Sequence, residues 1–387
     1  MHRLSTLVLA LAALGASGAP QAGAPRPHVE LRRTPDGGIQ PQAVVERGTL
    51  HLIYYKGDPR HGDVHYVASK DDGKTFTKPL RVNTRPGSAI AAGNIRGAHL
   101  AVSESGRVHV AWMGSHQSEP KASGGGAPML YARLNDAGDA FEPQRNLITF
   151  AEGLDGGGSI AAQGRNVYVL WHAPTPGLKG EEHRRVWLAA SADDGATFAK
   201  ERAVSPADTG VCGCCGLRAL VTPDGQPGAL YRSASDKFQR DAYFVSASPK
   251  NEGRALRLQE WRIGACPMSS FAFTGRGQDA LIAWETDGQI WWTRAPSAEA
   301  KAGEPAAAPG AGGQRKHPAL ASNGRATLLA WTEGMGWNRG GKLAWQVYDE
   351  QGQPVDAPAG AGRADGVPAW SLITAVPRSD GRFLVVY

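Results

Sequence analysis

One sequence pattern recurs along the whole chain and constrains its fold more than any other feature. The pattern is a turn glycine, a run of alternating apolar residues and a closing aromatic residue. Its seven copies close 47 to 60 residues apart, at Tyr54, Trp112, Trp171, Tyr231, Trp284, Trp331 and Tyr387. Turn glycines and alternating apolar residues are typical of β-strands, and this spacing is the size of one four-stranded propeller blade. The sequence therefore predicts an all-β protein built as a single β-propeller.

Further strands are predicted around each copy. A short strand and turn precede each copy, and six copies are followed by a third strand, as at residues 63–69. The seventh copy has no third strand before the last residue, Tyr387. Residues 28–32 form a spare strand that we expect to pair with the C-terminal strand and close the ring. We predict seven four-stranded blades, with six as the alternative, in one domain over residues 23–387.

The turn after the third strand has a distinctive sequence. Residues 69–76 and 191–198 both fit Ser-x-Asp-x-Gly-x-Thr-Phe, and residues 134–141 are a degenerate third copy. In such a turn, Ser and Asp side chains bond to the backbone and Gly accepts a positive φ. This is the Asp box, and the chain here resembles the sialidase-like superfamily of BNR-repeat propellers. Sialidases have six blades, whereas the repeats of this chain count seven.

The resemblance also indicates where a ligand would bind. Asp boxes join the third and fourth strands and mark one face of the propeller, and sialidase sites lie on the opposite face. The loops predicted on that opposite, Asp-box-distal face are the longer ones. Long loops on a rigid scaffold commonly carry binding sites. We therefore expect an anionic or sugar-like ligand on the distal face.

Sialidase chemistry, as the resemblance implies it, needs an arginine cluster for the substrate carboxylate, a nucleophile pair and an acidic proton donor. Arginine suits a carboxylate because its planar fork binds bidentately. The candidate catalytic residues, of which the two arginines are expected to bind an anion, are Arg232, Arg240, Asp241 and Glu285. Cationic and aromatic groups that suit an anionic or sugar-like ligand occur at Arg96, Arg315, His317, Trp337 and Arg339. The Arg-Ile-Pro segment typical of sialidases is missing, so a sialidase-like glycoside hydrolase and a non-catalytic binding propeller both stay open.

The four cysteines all fall on loops of the distal face. They are Cys212, Cys214, Cys215 and Cys266, and the last is followed by Pro267 and Met268. An even number of cysteines in an exported chain is typical of disulfides, here joining Cys266 to one of the other three. Clustered thiols near a methionine are also typical of a site for copper or zinc. A metal-handling propeller is therefore the third functional hypothesis.

The first residues have the composition of an export signal. A basic start, an apolar run over residues 4–16 and small residues after it predict a signal peptide over residues 1–22, and hence a periplasmic or secreted protein. No apolar run is long enough to cross a bilayer. The net charge is +6, but no basic helix or recognition motif points to nucleic acid. We expect a monomer that binds a small ligand or a periplasmic protein partner.

Overall fold

A computed structural model of the protein describes residues 29–122, 125–151, 153–248, 254–276, 279–296, 302–357 and 359–387. The predicted signal peptide lies outside these residues. The described residues include short 3-10 helices at Pro35–Gly37 and Glu181–His183. Among the described residues we find no helix with the length and hydropathy that a membrane span requires.

Six blades are four-stranded antiparallel sheets whose strands follow chain order. Blade 1 contains β2 (Ile39–Glu46), β3 (Thr49–Asp58), β4 (His61–Ser69) and β5 (Leu80–Arg81). Blade 2 contains β6 (His99–Val102), β7 (Val108–Met113), β8 (Met129–Arg133) and β9 (Arg145–Asn146). Blade 3 contains β10 (Gly158–Gln163), β11 (Asn166–Pro174), β12 (Arg184–Ser191) and β13 (Arg202–Ala203).

The next three blades repeat this arrangement. Blade 4 contains β14 (Arg218–Val221), β15 (Pro227–Arg232), β16 (Ala242–Ser246) and β17 (Ala255–Gln259). Blade 5 contains β18 (Phe271–Arg276), β19 (Asp279–Thr286), β20 (Gln289–Arg294) and β21 (Ala306–Ala307). Blade 6 contains β22 (Arg315–Ser322), β23 (Thr327–Glu333), β24 (Gly341–Tyr348) and β25 (Ala361–Val367).

The seventh blade combines both ends of the described chain. Its strands are β26 (Thr374–Pro377), β27 (Phe383–Val386) and the N-terminal β1 (Val29–Arg32). β1 pairs with β27 in parallel, with Val29 opposite Phe383 and Arg32 opposite Val386. The predicted seven blades and the predicted closure by the terminal strands are confirmed, and the seventh blade has three strands instead of the predicted four.

The first strand of each blade lies innermost. These strands contact one another around the ring, and β26 returns to contact β2. They enclose a central cavity of about 370 Å³. Arg218 lines this cavity, with its Nη1 3.1 Å from Gln42 Oε1 and 3.2 Å from His99 Nδ1. The mouth of the cavity at the distal face is lined by Asn94, Gly216 and His317, so the site described below borders the propeller axis.

The closing aromatic residues of the repeat pack between blades. Trp112 and Trp171 are buried, and each belongs to an apolar cluster that two neighbouring blades share. Trp284 and Trp331 are buried in the same way farther along the ring. A large aromatic side chain removes much apolar surface from water, so one such residue per blade supplies much of the interface between blades.

The two complete Asp-box turns have the same hydrogen bonds. In the first, Ser69 Oγ accepts from the Gly73 N–H (2.8 Å), and Asp71 accepts from the Thr75 N–H (2.9 Å) and hydroxyl (2.7 Å). Gly73 has a φ of +81°, which a glycine adopts without steric cost. The second turn repeats these bonds with Ser191, Asp193, Gly195 and Thr197.

The Asp-box turns also join their blades to the preceding ones. Asp72, in the turn of blade 1, accepts from the Ser379 N–H of blade 7 at 3.0 Å. Asp194, in the turn of blade 3, accepts from Arg107 Nε of blade 2 at 2.9 Å. The turns therefore lie on the face where first and second strands connect, and they fasten one rim of the ring.

Buried histidine–tyrosine pairs lie beneath this rim. His51 Nδ1 is 2.8 Å from the Tyr66 hydroxyl, and His109 Nδ1 is 2.8 Å from the Tyr131 hydroxyl. Burial lowers the pKa of both His51 and His109 to about 4. Both histidines are therefore neutral in the folded protein at neutral pH.

We predict that acid destabilises the fold through these histidines. Between pH of about 6.5 and about 4, these histidines bind protons in the unfolded chain but stay neutral in the folded protein. The free energy of unfolding therefore falls as the pH falls. Each histidine would contribute about 3 kcal/mol of this loss by pH 4. Urea denaturation at a series of pH values measures it. A double variant H51Q/H109Q should show a shallower pH dependence, and an unchanged one would contradict the prediction.

Candidate functional site

The distal face is formed by the loops that join second to third strands and by the connections between blades. Side chains of these loops bond across blade boundaries. Arg96 Nε donates to Asp155 O (2.8 Å), and Arg184 Nη2 lies 3.4 Å from Asp155 Oδ2. Arg240 Nη2 lies 3.0 Å from Glu181 Oε2. The cysteine loop of residues 211–216 lies between these two groups of bonds, since Gly213 is close to Arg184, Asp155 and Glu181.

Main-chain bonds fix the path of the cysteine loop. The Cys212 N–H donates to Arg232 O (2.9 Å), and the Gly216 N–H donates to Ser269 O (2.8 Å). The Gly213 N–H donates to Glu181 Oε1 at 2.6 Å. A Cβ at Gly213 would lie 3.1 Å from both the Arg184 guanidinium carbon and Asp155 Oδ2. Glycine therefore allows the loop to sit close against its charged neighbours.

The loop brings three thiols together. Cys212 Sγ is 3.4 Å from Cys214 Sγ and 3.1 Å from Cys215 Sγ, and all three sulfur atoms lie within 4.8 Å of one another. Cys212 and Cys215 are buried, whereas Cys214 is partly accessible. We call these three residues the thiol cluster.

Cys266 lies at the edge of the thiol cluster. Its thiol is a hydrogen-bonding neighbour of Cys214, and its side chain is exposed. No disulfide is formed, because all four cysteines are free thiols. The sulfur separations within the cluster also exceed a disulfide bond, which is about 2.05 Å.

The thiol cluster is arranged to hold negative charge on Cys215. Burial opposes ionisation there, but bonds from the Cys212 and Cys214 thiols and the nearby Arg232 guanidinium outweigh it and hold the pKa of Cys215 well below its usual range. The same thiol–thiol bonds, together with burial, raise the pKa of Cys212 well above its usual range. Within the cluster, a negative charge is therefore favoured on Cys215 over Cys212.

Arg232 supports this cluster from beneath. It is 1% exposed, and its guanidinium donates to Ser269 Oγ (2.9 Å), Arg240 O (2.5 Å) and Glu285 O. Its charge also lies over the rings of Trp261 and Phe271. All three of its nitrogens bond to protein acceptors, so the structure gives Arg232 a positioning role beside Cys215 and not an open carboxylate-binding role.

The other candidate catalytic residues are also engaged with the protein. Arg240 forms its ion pair with Glu181. Asp241 is 2% exposed and accepts from the Trp261 N–H at 2.9 Å. Glu285 accepts from the Gly288 N–H at 3.0 Å, and burial raises its pKa. The structure brings Arg232 and Glu285 together near Cys215, but it assembles no open cluster of arginines from these four residues.

The candidate ligand-binding residues separate into two groups. Arg315 and Arg339 bond to other parts of the protein, whereas Arg96, Trp337 and His317 lie close together. Arg315 is buried, with bonds to Gln289 Oε1 (2.9 Å) and Pro309 O (2.9 Å). Arg339 is exposed and donates to Gly334 O (3.1 Å). Arg96 and Trp337 come together, with the Arg96 guanidinium 5.7 Å from the centre of the Trp337 ring. His317, close to them, is buried at the mouth of the central cavity.

Sequence reasoning missed several polar residues around the thiol cluster. Glu181 holds both the Gly213 N–H and Arg240. His172 Nε2 is 3.2 Å from Cys215 O, and its Nδ1 has no partner among the described residues. Arg184 Nε and Nη1 and Glu285 Oε2 are likewise buried without a partner in that part of the chain. Long distal loops were a signal for this region, but single charged residues within them form no motif.

Known proteins resemble this chain in structure but not in sequence. No family model and no curated protein matches the chain. Among solved structures, an ulvan lyase of polysaccharide lyase family PL25 superposes with a TM-score of 0.52 at 13% identity, covering 88% of this chain and 87% of the lyase. A protein of unknown function from Dyadobacter fermentans gives 0.50 at 15% identity, covering 89% and 99%. The Trypanosoma rangeli sialidase gives 0.50 at 11% identity, covering 77% of this chain and 53% of the sialidase.

These similarities concern the fold. The chain has a β-propeller fold, as its sequence repeats indicated, and the structures to which it is similar include a sialidase and a polysaccharide lyase. At such low identity the fold does not carry an activity with it. The evidence on function therefore has to come from the side chains of the distal face.

We predict that Glu181 keeps the thiol cluster closed. In the variant E181Q the Gly213 N–H and Arg240 lose a carboxylate partner, and a charge-assisted bond is worth about 1.5–3 kcal/mol. Local opening of the loop should become roughly tenfold to hundredfold more frequent. Alkylation of Cys212 and Cys215, followed by mass spectrometry of peptides, measures this opening.

The neighbouring residue supplies a matched control. Glu182 is exposed and has His183 as its ion-pair neighbour at 4.0 Å, so E182Q should leave the alkylation rates unchanged. If alkylation were accelerated equally in E181Q and E182Q, the bonds of Glu181 would not be what keeps the loop closed.

Proposed function

We propose that this protein binds a soft metal ion, copper(I) or zinc(II), through Cys212, Cys214 and Cys215 on the distal face of its propeller. The observation that carries the proposal is the thiol cluster itself, with three free sulfur atoms within 4.8 Å of one another. Thiolates are the ligands that these metals prefer. The established fold supplies the rigid frame, and the loop supplies the ligands.

The spacing of the sulfur atoms suits a shared ion. A zinc–sulfur bond is about 2.3 Å, which places two ligands of a tetrahedral site roughly 3.8 Å apart. The observed separations of 3.1 Å and 3.4 Å need only a small outward movement to reach that value. Cys266, next to Cys214, is available as a fourth ligand.

The surrounding charges favour loading of the metal. Bringing three thiolates together without a cation is costly because like charges repel at short range. Arg232 offsets part of this negative charge beside Cys215. Binding of the metal would displace the protons of Cys212 and Cys214, so the affinity should increase with pH.

We predict one high-affinity metal equivalent per chain. Titration of the reduced protein with zinc(II), or with cadmium(II) as a spectroscopic substitute, should give thiolate-to-metal charge-transfer absorption that saturates at one equivalent. The variant C214S, which changes the accessible member of the cluster, should weaken the affinity more than roughly 100-fold, beyond the loss typical of outer-shell changes.

Cys266 provides the comparison within the same protein. It is exposed and lies at the edge of the cluster, so C266S should keep the stoichiometry of one equivalent. A reduced wild-type protein that binds no metal, or a C214S variant that binds as tightly as the wild type, would contradict the proposed function.

A second candidate function rests on a different part of the same face. Trp337 is 46% exposed and stacks with Arg96, and Arg184 lies on the other side of Asp155. An exposed aromatic ring beside arginines suits an anionic saccharide, which would stack on the ring, while the positive charge of the guanidinium groups would attract its carboxylate. This is the anionic or sugar-like ligand expected from the sequence, bound with or without cleavage.

We predict that W337A and R96A each weaken binding of a uronate- or sialate-containing oligosaccharide roughly tenfold to hundredfold. Calorimetric titration measures the affinity. Arg262, an exposed arginine of another distal loop, gives the control R262A, which should bind like the wild type. Equal losses in all three variants, or no binding by the wild type, would exclude this candidate.

A further inference from the structure

A second group of soft ligands lies beside the thiol cluster. Met268, His317, Met335 and Trp337 line one small cavity on the distal face, together with Asn94 and Lys316. The cavity has a volume of about 10 Å³, which is the space of a single water molecule. It therefore has room for one atom and not for an organic ligand. We call it the thioether pocket.

The two methionines reach the thioether pocket from different blades. Met268 is part of the connection between blades 4 and 5, and Met335 is in the loop between β23 and β24 of blade 6. Met335 is 6% exposed. Thioether sulfur is an uncharged, soft ligand that favours copper(I) over harder divalent ions.

His317 is oriented like a metal-binding imidazole. It is 3% exposed, and its Nδ1 lies 3.1 Å from Ser270 Oγ. A proton on Nδ1 donated to Ser270 leaves the lone pair of Nε2 free, which is the usual arrangement of histidines that bind a metal through Nε2. The neighbour of Nε2 is Asn94 Nδ2 at 3.5 Å, a distance too long for a good hydrogen bond.

Asn94 gives an independent sign of a ligand site at the pocket. Asn94 is 4% exposed, and its Oδ1 has no hydrogen-bond partner among the described residues. Buried polar atoms in native proteins nearly always have a partner. Asn94 and His317 therefore line a cavity that the two methionines also line.

The charges around the pocket favour a monovalent ion. Its ligand atoms are neutral, and Lys316 lines it while donating to Pro267 O. The Arg96 guanidinium already lies 5.7 Å from the centre of the Trp337 ring. With two cationic side chains nearby and no carboxylate in the lining, a divalent ion would be poorly compensated.

We infer that Met268, Met335 and His317 form a second site for copper(I), next to the thiol cluster. This inference rests on the proposed function and narrows it, because it selects copper(I) over zinc(II) as the metal. The two sites share one segment of chain, since Met268 follows Cys266, the neighbour of Cys214. A copper(I) ion held by weak thioether ligands would thus lie close to the stronger thiolate ligands.

The test is an anaerobic titration with copper(I), or with silver(I) as its redox-inert substitute, in competition with a colorimetric chelator. The wild type should bind two equivalents. A variant with serine at Cys212, Cys214, Cys215 and Cys266 should bind one equivalent of copper(I). Adding M268L and M335L to this variant should abolish binding of that equivalent. Leucine nearly conserves the volume of methionine, and circular dichroism confirms that each variant is folded. Zinc(II) should bind to the wild type at one equivalent, unchanged by M268L and M335L.

A methionine in the core gives a control for the methionine-to-leucine changes. Met113 is buried in blade 2, away from the pocket, so M113L should keep both copper(I) equivalents. Trp337 fluorescence offers a second readout, because an ion entering the pocket should quench it and W337F should remove that signal.

The outcomes separate the two proposals. If the wild type binds one copper(I) and the variant without cysteines binds none, the second site is refuted and the thiol site stands. If the wild type binds none, the proposed function itself fails. If the variant without cysteines binds one equivalent that M268L and M335L leave unchanged, the ion lies elsewhere and a buried water is the occupant of the pocket.

Discussion

The parallel pairing of β1 with β27 is the interaction on which the rest of the molecule depends. It joins the two ends of the described chain in one blade, with Val29 opposite Phe383, and it places that blade between blades 6 and 1. The innermost strands then contact one another around a complete circle. Closing the ring covers the apolar sheet faces that an open array would expose at its two ends, and it leaves only short, protected strand edges. The Asp-box turns reinforce the same ring from one rim, as Asp72 does by accepting from the Ser379 N–H across the closing interface.

A closed ring has a direct consequence for chemistry. It brings loops that are far apart in sequence to one face, so that Glu181 can hold the Gly213 N–H and His317 can lie near Asn94. Each of these side chains is positioned by a blade and not by its own loop alone. Several buried polar atoms without a partner among the described residues, including Asn94 Oδ1 and Glu285 Oε2, lie on this distal face. At the Asp-box rim, Asp71 and Asp193 accept bonds within their own turns, and Asp72 accepts from the Ser379 N–H of the neighbouring blade.

The fold could be predicted from sequence because it is repetitive. Seven copies of one pattern indicate seven blades, and the closing residues, such as Trp112, are buried as their equivalent positions require. The cysteines could be assigned to one face by the same register. The orientation of Arg232 could not be predicted. The sequence places this residue at the end of β15, but it does not show that the guanidinium turns inward to Ser269 and the carbonyl of Glu285. Glu181 could not be predicted either, since its importance comes from a contact between blades that no local motif records.

The thiol cluster has a physical logic that a disulfide would not share. Three thiols at this separation cannot all ionise without a cation, and the structure shows the expected compromise, in which the pKa of Cys215 is lowered by its thiol donors and Arg232 while the pKa of Cys212 is raised. Oxidation of any pair would leave the third thiol without its two partners. Under the proposed function, a single soft cation would satisfy all three sulfur atoms at once and displace the retained protons. The arrangement of the three thiols therefore suits one shared ion, whereas a covalent bond can join only two of them.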